Sequence, residues 1–255
     1  MTPTVSVVVP AFNEEARLPD LFDALLGSAS GDLAAAGLDF LEAVIVDDGS
    51  TDRTAAMLAD AAARDPRLRP VIDDRPNAGK GAAIARGIAH ARGELVLLVD
   101  VDLSTPIGCA VPLARALREA GAEMAIGSRD SPGSRVNAPA HRRLLGAGFN
   151  FAVRRLTGLE HPDTQCGFKL IETDVARRLT AIQVSRGFAY DVELLMRARA
   201  EGVRVVDVPV VYVHDDRSKV KVLRATGEMA WDLLRIRHHV RRERRLAAGL
   251  SSPHG

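Results

Sequence analysis

Apolar runs alternate with segments of helical periodicity through the first half of the chain. Residues 4–9 form a β-branched apolar run, which predicts a buried strand that ends at Pro10. Apolar residues then recur at i, i+3, i+4 and i+7, which predicts one buried helix face. These residues are Leu18, Leu21, Phe22 and Leu25. We expect Asn13 to cap this helix and residues 27–37 to form a loop or a frayed connection.

The same alternation continues to about residue 127. Apolar runs predict strands at residues 43–46, 71–72, 95–99 and 124–127, and helical patterns cover residues 54–63, a segment opening at Gly79, and residues 112–120. Strands and helices that alternate in this way predict an α/β fold, with a mainly parallel sheet and helices on both faces.

The pattern changes beyond Ser128. Residues 129–139 are rich in Gly, Pro, Ser and Arg and predict a long mobile loop, of the kind that is usually functional. Two helices and a strand around residues 168–171 follow, and then an apolar segment at 203–213. We find no internal repeat and no linker, so we expect one domain over residues 1–219 and a basic amphipathic helix with a tail over 220–255.

Composition narrows the class of protein. A net charge of +1 over 255 residues argues against a dedicated nucleic-acid binder. The two cysteines, Cys109 and Cys166, form no CxxC pair, which favours reduced thiols in a cytosolic protein over a zinc site. Without a signal-peptide pattern or a run of about 20 apolar residues, we expect a soluble or peripheral protein.

Polar motifs follow three of the predicted strands: residues 10–14, residues 47–50, and the pair Asp100 and Asp102. Parallel strands end at one edge of a sheet, where ligands of α/β proteins bind. Two carboxylates there suit a hard divalent cation bound to phosphate oxygens. Each motif alone also fits a turn or a solvated loop, but three in order indicate an enzyme that handles a nucleotide-activated substrate.

A glycine-rich segment, residues 77–81, precedes a predicted helix. Its backbone N–H groups and Lys80 are suited to face an anion, although a helix start with a solvated lysine fits equally well.

The order PAFNEE, VDDGSTD, NAGKG and DVD resembles the family 2 glycosyltransferases. DTQCGFKL at residues 163–170 and FAYDVE at 188–193 are similar to segments of dolichyl-phosphate glucosyltransferases and polyprenyl-phosphate mannosyltransferases. The resemblance extends to about Val220 and implies the GT-A (Rossmann-like) fold. It also implies an inverting, metal-dependent transfer of a hexose from UDP-glucose or GDP-mannose to a polyprenyl or dolichyl phosphate.

The resemblance further implies a donor site with Mg²⁺ or Mn²⁺ on Asp100 and Asp102, and Asp102 as a catalytic residue. Ser104 stands where mannosyltransferase relatives carry a metal-binding Gln. The expected nucleotide-sugar residues are Pro10, Phe12, Glu14, one of Asp47 and Asp48 (preferably Asp48), Lys80, Asp100, Val101, Arg217 and Lys219.

Arg129 matches an arginine that meets the acceptor phosphate, and Arg142 or Arg143 is expected to add a second contact. A phosphate monoester, with a second pKa of about 6, is already an anionic nucleophile and needs arginines more than a general base. Arginines at 129, 135, 142 and 143 therefore favour a phosphate acceptor over a solvated basic face. Asp163 is a candidate catalytic residue. Asp163 and Asp191 each suit four alternative roles: a base, a group that orients the arginines, a helix cap or a member of a structural ion pair.

The pattern at residues 223–247 predicts a C-terminal helix. Between positions 235 and 245 it contains six arginines, and Glu243 is its only acidic residue. It suits either an anionic membrane surface or packing on its own domain. We expect a cytoplasmic protein, peripheral on the inner face of the cell membrane, that reaches its lipid acceptor there or through a partner. Two alternatives to transfer onto a lipid phosphate stay open. The chain could be a glycosyltransferase with a soluble sugar or small-acid acceptor, or a non-catalytic scaffold that binds a nucleotide sugar.

Overall fold

The computed structural model describes residues 2–72, 75–215, 232–240 and 242–243, with the backbone alone at 141, 142 and 145. The strands in this part of the chain are β1 (Thr4–Ala11), β2 (Asp39–Asp47), β3 (Leu68–Ile72), β4 (Leu95–Leu98), β5 (Met124–Ser128), β6 (Arg135–Asn137), β7 (Lys169–Glu172), β8 (Val205–Pro209) and β9 (Val211–Val213). Seven of them form one sheet in the order β3-β2-β1-β4-β7-β5-β8. Only β7 runs antiparallel to its neighbours in that sheet, which confirms the predicted mainly parallel arrangement.

Helices cover both faces of this sheet. They are α1 (Leu18–Asp23), a π-helix (Ala24–Ser28), α2 (Ala29–Ala35), α3 (Thr54–Arg64), α4 (Lys80–His90), a 3₁₀ helix (Ile107–Cys109), α5 (Ala110–Glu119), α6 (Ala140–Thr157), α7 (Thr173–Ala181) and α8 (Tyr190–Glu201). Side chains alternate along β1, so that Val7 joins one core cluster with α1, α2 and α5, and Val8 joins a second with α4, α7 and α8.

The loop or frayed connection predicted at residues 27–37 is wrong, because the chain is helical through Ala35. Leu25, Ala29 and Leu33 are spaced four apart and are fully buried. A Cβ added at Gly27 or Gly31 would meet nothing within 4 Å. The buried stripe therefore holds a helix that the exposed glycines alone disfavour.

Two expectations at the first strand end are also wrong. Pro10 does not end β1, which continues to Ala11. Beyond Val8 this strand pairs with β2 only, so the missing N–H of proline costs no hydrogen bond to β4. Asn13 does not cap α1 but adopts a positive φ of 56°, and its Oδ1 accepts the Thr51 N–H at 2.8 Å.

The second half of the chain contains more regular structure than its sequence predicts. The predicted loop at 129–139 includes β6, which pairs in parallel with β9 in a separate two-stranded sheet. The segment at 203–213 forms two strands, β8 and β9, that belong to different sheets. Between residues 129 and 203 the structure has three helices, α6, α7 and α8, where the sequence predicts two.

Residues 232–240 and 242–243 are helical, and this part of the C-terminal segment packs on the domain. Leu233, Ile236 and Val240 are buried in the second core cluster. Glu243 forms an ion pair with Arg197 of α8, in which Oε2 lies 2.7 Å from Nη1. Trp231 lies outside the described residues. Across the described part of the chain, no helix has the length and apolar character that crossing a bilayer requires.

Candidate active site at the carboxyl edge of the sheet

The motifs that follow β1, β2 and β4 lie at one edge of the sheet, as predicted, because these strands are neighbours in the order β2-β1-β4. Hydrogen bonds join the first two motifs directly. The backbone N–H of Asn13 donates to Ser50 Oγ at 2.9 Å, and the N–H of Glu14 donates to Thr54 Oγ1 at 2.8 Å.

Asp48 links the second motif to the glycine-rich segment before α4. Its buried carboxylate accepts the N–H groups of Ala78 at 3.1 Å and Gly79 at 2.7 Å, and it forms an ion pair with Arg86. Asp47 is also buried and accepts the Ser50 N–H at 3.3 Å. Asp48 therefore fixes the start of α4, and its expected contact with the nucleotide stays a prediction.

Phe12 and Glu14 lie at the outer side of this edge. The ring of Phe12 is 41% exposed, which leaves it accessible to a ligand. Glu14 Oε2 lies 2.8 Å from Nη1 of the buried Arg17, whose Nε lies 2.9 Å from Asp215 Oδ2. The role of Arg17 was not predicted; it connects the first motif to the chain just before the predicted basic segment. Arg217 and Lys219 of that segment lie outside the described residues.

Lys80 reaches from the first turn of α4 to the third motif, where its Nζ lies 2.6 Å from Asp100 Oδ1. Burial disfavours the charged forms of Lys80 and Asp100, but the attraction between the two charges outweighs this effect. Burial alone would lower the pKa of Lys80, but the charges of Asp100 and Asp191 raise it. Burial alone would raise the pKa of Asp100, but the charge of Lys80 lowers it. Both groups are therefore ionised at neutral pH.

Gly167 allows Asp100 to take this position. A Cβ at residue 167 would lie 2.7 Å from Asp100 Oδ2, closer than real Cβ atoms approach. This glycine was not predicted as a site residue, although the DTQCGFKL segment that contains it had indicated an important region.

A pocket with about 420 Å³ of empty space opens beside Asp100 and Asp102. Its other lining residues are Ser104, Thr105, Arg129, Gln165, Cys166, Gly167, Phe168 and Tyr212. Asp102 Oδ1 accepts the Ser104 N–H at 2.9 Å. The side chain of Val101 is buried in the first core cluster instead of facing this pocket, which argues against side-chain contact with a donor.

The pocket supplies oxygen ligands of the type that Mg²⁺ and Mn²⁺ prefer. Asp100 and Asp102 provide carboxylates, and the buried Ser104 Oγ has no hydrogen-bond partner within the described structure. In the part of the chain that the structure describes, no three His, Cys, Asp or Glu residues converge on a possible metal position. These residues therefore fit a cation that completes its coordination with substrate phosphates, and do not form an all-protein metal cage.

Arg129 extends to the pocket from the end of β5, where Asp163 holds it. Its Nε lies 2.7 Å from Asp163 Oδ2 and its Nη2 lies 3.0 Å from Oδ1, so the pair is bidentate. The guanidinium carbon lies 5.4 Å from the centre of the Tyr212 ring. Burial alone would raise the pKa of Asp163, but the charge of Arg129 has the larger effect, so the pKa is lowered overall. Of the roles considered for Asp163, the structure shows an orienting ion pair.

The other predicted acceptor arginines are not gathered around Arg129 in the described residues. Arg135 on β6 and Arg143 on α6 are exposed, and neither lines the pocket. The side chain of Arg142 lies outside the described residues. The expected contact of these arginines with an acceptor phosphate therefore stays a prediction.

A buried ion pair lies behind the pocket. Lys169 Nζ contacts the carboxylate of Asp191 and also donates to the carbonyl of Cys166. The ring of Tyr190 is fully buried, with the Nζ atoms of Lys80 and Lys169 at 5.8 and 5.7 Å from its centre. Asp191 therefore acts as a structural ion-pair partner. The sequence had not identified Lys169, whose position on an apolar strand carries no such signal.

Comparison with known proteins adds a family assignment for this geometry. A family model described as "Glycosyl transferase family 2" matches residues 6–180. A dolichyl-phosphate beta-glucosyltransferase of Trichomonas vaginalis is 34% identical over 240 residues, which are 91% of this chain and 72% of that protein. The dolichyl-phosphate beta-glucosyltransferase of Homo sapiens is 35% identical over 246 residues, 92% of this chain and 75% of that protein.

Solved structures confirm the fold. Glucosyl-3-phosphoglycerate synthase of Mycobacterium tuberculosis, in complex with Mn²⁺, UDP-glucose and phosphoglyceric acid, matches with a TM-score of 0.66. The match covers 92% of this chain and 80% of that one at 21% identity. At this identity the likeness establishes the architecture and leaves the substrates of this chain to be argued from its own residues.

Proposed function

Because this chain is a glycosyltransferase that belongs to glycosyl transferase family 2, we propose that it transfers glucose from UDP-glucose to a polyprenyl or dolichyl phosphate. The observation that carries the proposal is that Arg129, held by Asp163, lines the same pocket as Asp100 and Asp102. One pocket thus places the guanidinium of Arg129, which can bind an acceptor phosphate, beside two carboxylates that suit a metal-bound sugar nucleotide. The names of the relatives favour glucose and dolichyl phosphate, and GDP-mannose is the alternative donor.

On the donor side, we assign Pro10, Phe12, Glu14 and Asp48 to the base and ribose. Asp100 and Asp102, with the Ser104 hydroxyl as a further oxygen, would hold Mg²⁺ or Mn²⁺. When bound, such an ion offsets the negative charge that develops on the departing diphosphate. Lys80 keeps Asp100 ionised and in place, and we also assign Arg217 and Lys219 to the diphosphate.

On the acceptor side, Arg129 orients the lipid phosphate, with a second contact from Arg142 or Arg143. A phosphate oxygen attacks C1 of glucose, the bond from C1 to the diphosphate oxygen breaks, and its electron pair leaves with UDP. The phosphate dianion needs no general base, because its second pKa is about 6. Asp163 therefore serves as a positioning residue for Arg129. In-line attack on an α-linked donor gives a β-linked product.

We further propose that residues 1–219 form the catalytic unit and residues 220–255 a C-terminal helix and tail. The enzyme would work at the cytoplasmic face of the cell membrane as a peripheral protein, because its acceptor is a lipid.

An acceptor panel tests this function. Radiolabelled UDP-glucose is incubated with Mg²⁺ or Mn²⁺ and with polyprenyl phosphate, polyprenol or 3-phosphoglycerate, and GDP-mannose is tested in parallel. We expect label from UDP-glucose in polyprenyl phosphate and none in polyprenol, which lacks the anion that Arg129 binds. Transfer to 3-phosphoglycerate without transfer to the lipid phosphate would contradict the proposal.

A further inference from the structure

Helix α6 carries an apolar face that no other part of the described structure covers. Leu144 and Phe151 are 76% and 67% exposed. They are seven residues apart, so they lie on one side of the helix. Gly148 lies between them on the same side, and a Cβ added there would meet nothing within 4 Å. Two large apolar side chains at this exposure on one helix face indicate a surface that binds a partner.

The charge on α6 narrows the class of partner. The helix contains four arginines and no acidic residue in its 18 positions. The described side chains among them, Arg143, Arg154 and Arg155, are exposed. A face that combines apolar side chains with arginines matches the interface of an anionic bilayer, whose headgroups attract cations above an apolar interior. Pairing of this face with the same face of a second copy would bring like charges together.

The inner side of α6 is attached to the acceptor side of the pocket. Asn150 Nδ2 donates to Asp130 Oδ2 at 3.2 Å, and Asn150 Oδ1 accepts the Thr164 hydroxyl at 2.8 Å. Asp130 and Thr164 directly follow Arg129 and Asp163 in the chain. A surface that holds α6 therefore holds the two loops that place the acceptor arginine.

We propose that α6 docks this enzyme on an anionic lipid bilayer, with Leu144 and Phe151 inserted among the lipids and its arginines at the headgroups. The inference rests on the proposed function, because it names the surface from which a lipid phosphate reaches Arg129. It also replaces the C-terminal helix as the docking element, since Leu233, Ile236 and Val240 of that helix are buried.

Vesicle sedimentation with the full chain, in the absence of donor and acceptor, tests the docking. Vesicles contain phosphatidylcholine alone or phosphatidylcholine with phosphatidylglycerol. The test variant is Leu144→Ser/Phe151→Ser. Matched controls replace exposed apolar residues elsewhere, Ile182→Ser and Leu234→Ser, at 47% and 53% exposure. A second pair compares Arg154→Gln/Arg155→Gln with Arg64→Gln/Arg115→Gln. Thermal melts establish that each variant is folded.

We expect wild type to bind the anionic vesicles better than the neutral ones, and less well at high salt. The Leu144→Ser/Phe151→Ser variant should bind about tenfold more weakly or worse, since each serine removes an inserted apolar side chain. Replacement of Arg154 and Arg155 should remove much of the preference for anionic vesicles. The Ile182, Leu234 and Arg64/Arg115 controls should bind as wild type does.

Three results would overturn the docking proposal: unchanged vesicle binding by Leu144→Ser/Phe151→Ser, an equal loss in Leu234→Ser, or a wild-type dimer that only the α6 variant dissociates. Transfer to a water-soluble, short-chain isoprenyl phosphate separates this inference from the proposed function. The α6 variant should retain that transfer. Binding that depends on α6 without any transfer to phosphate acceptors would contradict the function and leave the docking intact.

Discussion

Lys80 Nζ lies 2.6 Å from Asp100 Oδ1, so the lysine expected to face a phosphate already neutralises one of the two carboxylates expected to hold a cation. Asp102 Oδ1 accepts the backbone N–H of Ser104 at 2.9 Å, and within the described residues no ion pair offsets the charge of this carboxylate beside the pocket. The pair makes the two acidic residues unequal: Asp100 is held by Lys80 and fitted against Gly167, and Asp102 is the principal candidate ligand of a cation.

Replacement of Lys80 by Met should lower kcat/KM for the nucleotide sugar by about tenfold to 100-fold. Without its partner, the Asp100 carboxylate faces Asp102 and an incoming diphosphate with an uncompensated charge. Steady-state kinetics on purified protein measure the effect. Lys80→Arg, which keeps the charge, should lose less; equal losses in both variants would point to packing instead of charge.

Asp102→Ala should reduce kcat by about 100-fold to 1,000-fold with little change in thermal stability, because Asp102 is only partly buried and mainly serves the reaction. Asp60→Ala, at an exposed position on α3, provides the control and should remain near wild type. Turnover of Asp102→Ala that equals wild type in the presence of a chelator would count heavily against the assigned role.

Gly167→Ala should impair catalysis through a single methyl group. The new Cβ would lie 2.7 Å from Asp100 Oδ2, so the carboxylate must leave its contact with Lys80 or the loop must shift. Misplacement of this size should cost about tenfold or more in kcat. Gly187→Ala is the matched control, since its Cβ would meet nothing within 4 Å. Equal activities of the two variants would contradict this account of Gly167.

Asp163→Asn should destabilise the fold by about 1–3 kcal/mol at pH 7, because it leaves Arg129 without its charged partner. The pKa of Asp163 is lowered in the folded protein. Its ionised form therefore stabilises the fold above its unfolded-state pKa of about 3.9, and this contribution is lost as pH falls through the lower folded value. Urea titrations should show a wild-type advantage that shrinks below about pH 4. An advantage that is constant or grows on acidification would exclude this linkage.

Much of the sheet could be predicted from the sequence because its central strands are continuous apolar runs. The ends of β1, β2 and β4 could also be placed at one edge, because neighbouring parallel strands end on the same side of a sheet. The helix over residues 24–35 was missed because two exposed glycines hid the buried stripe of Leu25, Ala29 and Leu33. Strand β6 was missed because only its pairing with β9 makes it a strand.

The partners of the site residues were harder to predict than the residues themselves. Asp48 binds backbone N–H groups about 30 positions away, and Asp163 binds Arg129 across 34 positions. Such contacts depend on how loops fold over the sheet, which local patterns do not encode. For the same reason, Arg135 and Arg143 seemed equivalent to Arg129 in the sequence, although in the structure Arg129 is the one of these three that reaches the pocket.

Calorimetric titration of UDP, with and without Mn²⁺, into wild type and Asp102→Asn tests the central claim most directly. If Asp102 holds a cation that also binds the diphosphate, Mn²⁺ should tighten UDP binding to wild type by about tenfold or more and have little effect on the variant. The same gain in Asp102→Asn, or no gain in wild type, would contradict the claim that these carboxylates serve a metal-bound sugar nucleotide.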